Sequence, residues 1–304
     1  MNIQTTPLWR DREDVTLTTF LHMRDQFIPD PKKKPAVIVC PGGAYAECPR
    51  HGNEGDPVAM SFAADGYQAF VLEYSVSSKA PIERTLFPAQ ILDLAKAVLV
   101  IHEHAEEWLV DVNKISIAGF SAGAHLCGMY ATSWHTSLLS DYFNLDSEIF
   151  RPLCAILIYG LFDYEYQNQY TKDHPNPILP LDINVPVFGE QDPSSEKLRR
   201  YSPLYLLSEK TPPIFMAAAT DDGMVPAMHS IRMAEKMQEM NLPYELHMFR
   251  YGDHGFSLGR NLFTPYRQDL VHACANWVPL AKTFLLHMAA PETTECEKNP
   301  FSFM

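Results

Sequence analysis

The chain has 304 residues, 46% of them hydrophobic, with 37 acidic residues against 24 Lys and Arg for a formal net charge of −13. That balance argues against nucleic acid or an anionic membrane as partner, since phosphate binding relies on clustered Lys and Arg, and no run approaches the roughly 18 apolar residues of a membrane span. The start, Met1-Asn2-Ile3-Gln4-Thr5-Thr6-Pro7, lacks the order of a signal peptide, so a cytoplasmic protein with no membrane attachment is expected.

In chain order, residues 15–22 alternate loosely as Val15, Leu17, Thr19 and Leu21 and read as an N-terminal edge strand, followed by a lysine-rich turn at 31–35. Residues 36–40 are a continuous apolar run, the mark of a parallel strand covered on both faces, and end in Pro41-Gly42-Gly43-Ala44-Tyr45. Residues 57–64 fit a helix stopped near Gly66, and 68–74 a second buried strand. From Leu86, the recurrence Ile91, Leu94, Ala95, Val98, Ile101, Ala105 is the stripe of an amphipathic helix.

Strand 115–118 then runs into Gly119-Phe120-Ser121-Ala122-Gly123 and a helix-like stretch over 124–134. Further strands are expected at 153–159, 213–219 and 244–249, with a helix at 226–240. A final helix is marked by Leu270, Cys274, Trp277, Val278, Ala281, Phe284, Leu285 and Met288. Such alternation predicts an α/β fold, a mostly parallel central sheet with helices on both faces, as a single domain over 1–304. Residues 163–212, rich in Tyr, Pro, Asn and Asp, read as a lid-like insertion over the site, and 291–304 as a peripheral tail. The six cysteines (40, 48, 127, 154, 274 and 296) show no C-x-x-C spacing and are expected as reduced, mostly buried thiols.

The chemistry begins with Ser121. A serine flanked by glycines two residues away on each side, at a strand-to-helix corner, is how a sheet protein presents a hydroxyl as a nucleophile. It needs a histidine to take its proton and an acid to hold the imidazolium, here in the chain order Ser, acid, His. The strand at 213–219 ends in Thr220-Asp221-Asp222-Gly223; Asp222 is preferred as the acid, with Asp221 as a solvated turn carboxylate. The histidine is His254, in Tyr251-Gly252-Asp253-His254-Gly255-Phe256 after the last strand. His247 and His272 fall on regular elements, and His125, on the helix after Ser121, is expected to face away from the acid. N–H donors for the oxyanion are expected from Ala122, at a helix N-terminus, and from Gly42 and Gly43. The histidines lack metal-ligand spacing, and this mechanism calls for neither metal nor cofactor. Tyr45, Phe120 and the insertion's Tyr164, Tyr166 and Tyr170 are candidates for a surface that stacks a sugar ring; packing of the insertion explains them equally, as loop solvation does the polar run 50–54.

These segments resemble the α/β-hydrolase acetyl esterase/lipase family, and within it bacterial acetylxylan-type carbohydrate esterases, over about residues 35–288. The resemblance implies an α/β-hydrolase fold and a serine esterase that removes acetyl or other short acyl groups from a small-molecule or oligosaccharide ester. Pro41 and Ala44 stand where related lipases carry the outer members of His-Gly-Gly-Gly, and Phe120 where they often carry Asp, which favours the sugar-ester branch. An amidase or peptidase on the same fold, and a noncatalytic ligand-binding protein, remain as alternatives; a homodimer is allowed but nothing in the sequence demands one.

Overall fold

Uninterrupted apolar runs are stable as strands only when both faces are covered, and such runs build the centre of this molecule. The computed structural model describes residues 1–23, 32–175, 182–259 and 271–290, apart from the side chains of 271 and 272. Among them the strands are Asn2–Trp9 (β1), Arg12–Leu21 (β2), Lys34–Cys40 (β3), Gln68–Glu73 (β4), Val110–Phe120 (β5), Ala155–Ile158 (β6), Ile214–Ala219 (β7) and Tyr244–Phe249 (β8). They form one sheet in the order β1-β2-β4-β3-β5-β6-β7-β8. From β4 to β8 every pairing is parallel, while β1 and β2 form an antiparallel hairpin on β4.

The helices are Asp56–Ala64 (α1), Ala89–Glu103 (α2), Ala122–Ser133 (α3), Ser137–Phe143 (α4), Tyr164–Asp173 (α5), Val185–Phe188 (α6), Ser195–Arg200 (α7), Met228–Glu239 (α8) and Trp277–Ala289 (α9). The alternating side chains of β3 divide between two apolar layers. Ala36, Ile38 and Cys40 face the layer holding α2, α3 and α8, and Val37 and Val39 the layer holding α1 and α9. Every residue of α3 is buried, as its apolar composition all round requires.

The mostly parallel sheet with helices on both faces is therefore as expected. The edge differs: β1, not the strand at 15–22, is outermost, and its largely exposed face left no apolar alternation to read. Its Pro7 suits an edge, where a missing N–H leaves no ladder bond unmade. The last α-helix starts at Trp277, after a 3₁₀ turn over Val271–Asn276. Pro279 explains the boundary, because a residue with no N–H is accommodated in a first helical turn but not in an interior. Leu270, the tail at 291–304, Cys296, Pro31 and the side chain of His272 lie outside the described residues; the other five cysteines are free and buried. Among the described residues no helix is long and apolar enough to cross a membrane.

Strand order reverses between β3 and β5: the chain leaves β3 toward β4 and leaves β5 toward β6, β7 and β8. In open α/β sheets the crevice at such a reversal, outside the strands' carboxyl ends, is where ligands bind. The loop after β3 and the corner after β5 meet there.

Candidate active site

Ser121 occupies that corner with φ 51° and ψ −117°, a left-handed backbone uncommon for a residue with a side chain. The turn is held by packing that only glycines permit. A Cβ on Gly119 would lie 2.1 Å from the Gly123 carbonyl oxygen, and one on Gly123 2.0 Å from that of Cys40. The Ser121 N–H donates to Ile158 on the neighbouring β6 at 3.0 Å. The hydroxyl is left facing His254, with Oγ 2.9 Å from Nε2.

His254 Nδ1–H donates to Asp222 Oδ2 at 2.8 Å, which assigns Nε2 as the ring acceptor for Ser121. Asp222 is buried, and its other oxygen accepts the N–H groups of Met224 and Val225, both at 2.9 Å. Both oxygens are satisfied, so the carboxylate is fixed in direction as well as in place. Burial alone would lower the pKa of His254, but the charge and hydrogen bond of Asp222, helped by Glu54 and Asp253, outweigh it and raise it above the usual histidine value.

Asp221 departs from expectation. Its Oδ1 accepts the N–H groups of Gly252 and Asp253, both at 2.9 Å, so it ties down the histidine's loop and is not simply a solvated turn carboxylate.

Gly42 departs further. Its N–H donates to Glu54 Oε2 at 2.7 Å, and it is absent from the residues around the cavity at Ser121, so this amide is committed elsewhere. Gly42 is needed for close approach instead: a Cβ there would fall 2.6 Å from that oxygen and 2.9 Å from Ser121 Cβ. Gly43, at φ +130°, turns the chain with its carbonyl accepting from Ala46 and Glu47. Ala44, at φ 53°, reaches the cavity edge beside Ser121 and Ala122.

The cavity, about 80 Å³, is walled by Ala44 and Tyr45 from the β3 loop, Ala122 and His125 from α3, and Gly223, Met224 and Val225 from the loop of Asp222. The remaining wall is Leu161, Ile183 and the α5 side chains Tyr164, Gln167, Tyr170 and Thr171, with His174 just beyond. Of the tyrosines considered from the sequence, Tyr45, Tyr164 and Tyr170 are in this wall and Tyr166 is not; it packs on His229 with Arg232 over its ring at 4.1 Å. Phe120 is also absent. It is fully buried in the α1/α9 layer against Tyr159 and Trp277, because it shares the strand face of Ala118, so its place as a substrate contact is withdrawn.

Tyr45, only 2% exposed, is a wall held rigidly by its hydroxyl. His125 is pushed down to about 4 by burial and is therefore neutral. Its Nε2–H donates to the Tyr201 carbonyl at 2.7 Å, leaving Nδ1 to accept from Tyr45, also at 2.7 Å.

Sequence reading did not weigh Gln167 or His229. Gln167 Nε2 donates to the Met224 carbonyl at 3.0 Å, its Oε1 accepts from His229 Nε2 at 2.8 Å, and His229 Nδ1 accepts the Phe162 N–H at 3.2 Å. This chain fastens α5, and hence one cavity wall, to the loop of Asp222. Nothing local in the sequence marks it, since its members lie far apart and meet only in the fold.

Comparison with known proteins agrees with this architecture. The BD-FAE family profile matches residues 25–237. The chain is 30% identical to endo-1,4-beta-xylanase B of Butyrivibrio fibrisolvens over 77% of its own length and 34% of that protein's. It is 24% identical to an acetylxylan esterase of Xylanibacter ruminicola over 83% of its own length and 47% of the relative's. The chain thus spans about a third to a half of these curated relatives. The crystal structure of a carboxylesterase from Lactobacillus plantarum WCFS1 superposes with a TM-score of 0.79 at 22% identity, covering 96% of this chain and 100% of that one. The fold is that of an α/β-hydrolase.

Proposed function

The chain belongs to the BD-FAE family, and from that premise we propose that it is a serine carboxylic ester hydrolase that removes acetyl or another short acyl group from a carbohydrate ester. The observation that carries this reading is the unbroken relay Ser121–His254–Asp222, with links of 2.9 and 2.8 Å opening on a small, mostly apolar cavity. The acetylxylan esterase relative supports the choice of acyl group and sugar.

In this mechanism Ser121 Oγ attacks the ester carbonyl carbon while His254 Nε2 takes the hydroxyl proton. Asp222 holds the resulting imidazolium, and the oxyanion develops beside Ala122 and Ala44, whose N–H groups, with that of Gly43 just before the cavity edge, are the proposed donors. The α3 N-terminus adds its dipole in the favourable sense. The imidazolium then gives its proton to the departing sugar alkoxide as the C–O bond breaks. A water, deprotonated by His254, attacks the acyl-enzyme and releases the short acid, restoring Ser121. From the 163–212 insertion, α5 with His174 and Ile183 serves as the lid-side wall next to the bound ester.

The test is Ser121→Ala beside the wild type on p-nitrophenyl esters of increasing acyl length and on acetylated xylo-oligosaccharides. Expected are loss of turnover, loss of fluorophosphonate labelling, and a wild-type preference for acetyl. Wild-type turnover by the variant, or faster cleavage of aminoacyl anilides than of acetyl esters, overturns the reading.

A further inference from the structure

Behind the loop of Gly42 stands a carboxylate that the mechanism above does not use. Glu54 lies just before α1; its Oε2 accepts the Gly42 N–H and its Oε1 accepts the Tyr159 O–H, both at 2.7 Å. Tyr159 Oη in turn accepts the Ser257 N–H at 3.0 Å, and the Ser257 hydroxyl donates to the Asn53 carbonyl at 2.6 Å. The circuit therefore joins the loop after β3, the end of β6 and the loop of His254. The fully buried Tyr159 ring also lies edge-on to the His254 ring, with centroids 5.2 Å apart.

Backbone conformation adds a second observation. Tyr159, Asp253 and Ser257 hold φ values of 41°, 56° and 47°, and Ala44 and Tyr45 hold 53° and 60°. Each such residue is strained and persists only where its surroundings over-determine it. These strained residues flank the three anchor points of the Glu54 circuit. Packing alone would be served by a neutral side chain, whereas a charged acceptor makes the stronger hydrogen bonds.

Resting on the Ser–His–Asp reading, we propose that Glu54 is a positioning residue for that reaction. It holds the Gly42 amide, which sets the course of the chain through Gly43 to Ala44 at the cavity edge, and through Tyr159 and Ser257 it sets the loop that carries His254. Its charge acts as well. The groups facing His254 are Asp222 after β7, Glu54 before α1, Tyr159 after β6, Ser121 after β5 and Asp253 on the histidine's own loop, whose backbone Asp221 holds. Glu54 and Asp222 both favour the imidazolium.

The experiment compares wild type, Glu54→Gln and Tyr159→Phe, with folding checked by circular dichroism and thermal unfolding. kcat and KM for p-nitrophenyl acetate are measured across pH, with fluorophosphonate labelling of the wild type alongside. Glu54→Gln is expected to lose kcat roughly tenfold or more with KM nearly unchanged, and to move the acid limb of kcat/KM down by about half a pH unit. Tyr159→Phe is expected to lose kcat about tenfold, from the broken circuit, while the limb stays in place because the charge remains. A folded Glu54→Gln with wild-type kcat overturns the proposal, as its contribution is then to packing alone; a kcat loss at unchanged KM with the limb unmoved supports the positioning role and removes the charge effect. If Glu54→Gln does not fold, Tyr159→Phe decides: wild-type kcat overturns the proposal and the expected loss supports it. A wild type that neither labels nor turns over ester refutes the esterase reading instead.

Discussion

Asp221 and Asp222 are consecutive carboxylates that grip the same loop at different points: Asp222 bonds the His254 ring at 2.8 Å, and Asp221 accepts the backbone N–H groups of Gly252 and Asp253 at 2.9 Å. One orients the base and the other holds the chain that carries it. Asp222→Asn is therefore expected to lower kcat by about 10³- to 10⁴-fold, since an amide favours the wrong histidine tautomer. Asp221→Asn keeps an oxygen able to accept both amides, and its kcat is expected to stay within about tenfold of wild type. Steady-state kinetics on an acetyl ester decide; the reverse ranking exchanges the two roles.

The difference between these neighbours shows where sequence reading stops. Ser121, Asp222 and His254 were legible because the proposed reaction needs those residue types, in that order, each after a strand whose apolar run is plain. The parallel strands were legible for the same reason, since cover on both faces leaves no polar alternation. Phe120 was misjudged, although strand periodicity puts it on the face of Ala118, away from the cavity. The commitment of Gly42 to Glu54 depends on a contact across twelve residues of loop, and no spacing rule reports which way a loop amide points. Exposed β1 gave too little apolar pattern to be seen.

Steric need at the Ser121 turn gives a second prediction. Gly119→Ala and Gly123→Ala each drive a methyl into a backbone carbonyl, at 2.1 and 2.0 Å, whereas a Cβ on Gly223 meets nothing within 4 Å. The first two are expected to lose about 3 kcal/mol or more, or to fail to accumulate as folded protein. Gly223→Ala is expected within about 0.5 kcal/mol of wild type. Thermal unfolding of the purified variants measures this, and equal melting temperatures for all three remove the steric account.

Gln167 links the insertion to the loop of Asp222, so its loss is expected to reach further than one cavity wall. Gln167→Leu keeps approximate volume but leaves the buried His229 N–H and the Met224 carbonyl without this partner. A stability loss of about 1 to 3 kcal/mol is expected for stranding a buried polar group, together with a higher KM as α5 loosens from the cavity. Urea unfolding and ester kinetics report the two effects; an unchanged midpoint with unchanged KM means that the tether holds nothing.

Two buried histidines, His125 and His229, and the half-buried His254 respond to pH in opposite senses. His125 and His229 are pushed down to about 4 and about 3, first by burial, so between those values and the ordinary 6.5 the unfolded chain binds protons that the folded one refuses. Their contribution to stability is complete above pH 6.5 and is lost as pH falls toward 4 and 3, on the order of 3 kcal/mol for His125. His254, raised above 6.5, contributes stability that is complete below 6.5 and lost as pH rises through its folded value. On activity its effect is different, because Ser121 needs the unprotonated ring: kcat/KM is expected to climb with pH, with a midpoint above 6.5. The melting temperature is expected to fall steadily from pH 6.5 to 4, and His125→Gln to flatten that slope, since a glutamine replaces the hydrogen bond to the Tyr201 carbonyl without titrating. A slope equal to that of the wild type places the acid sensitivity in other groups, and an activity midpoint below 6.5 contradicts the ion pair with Asp222.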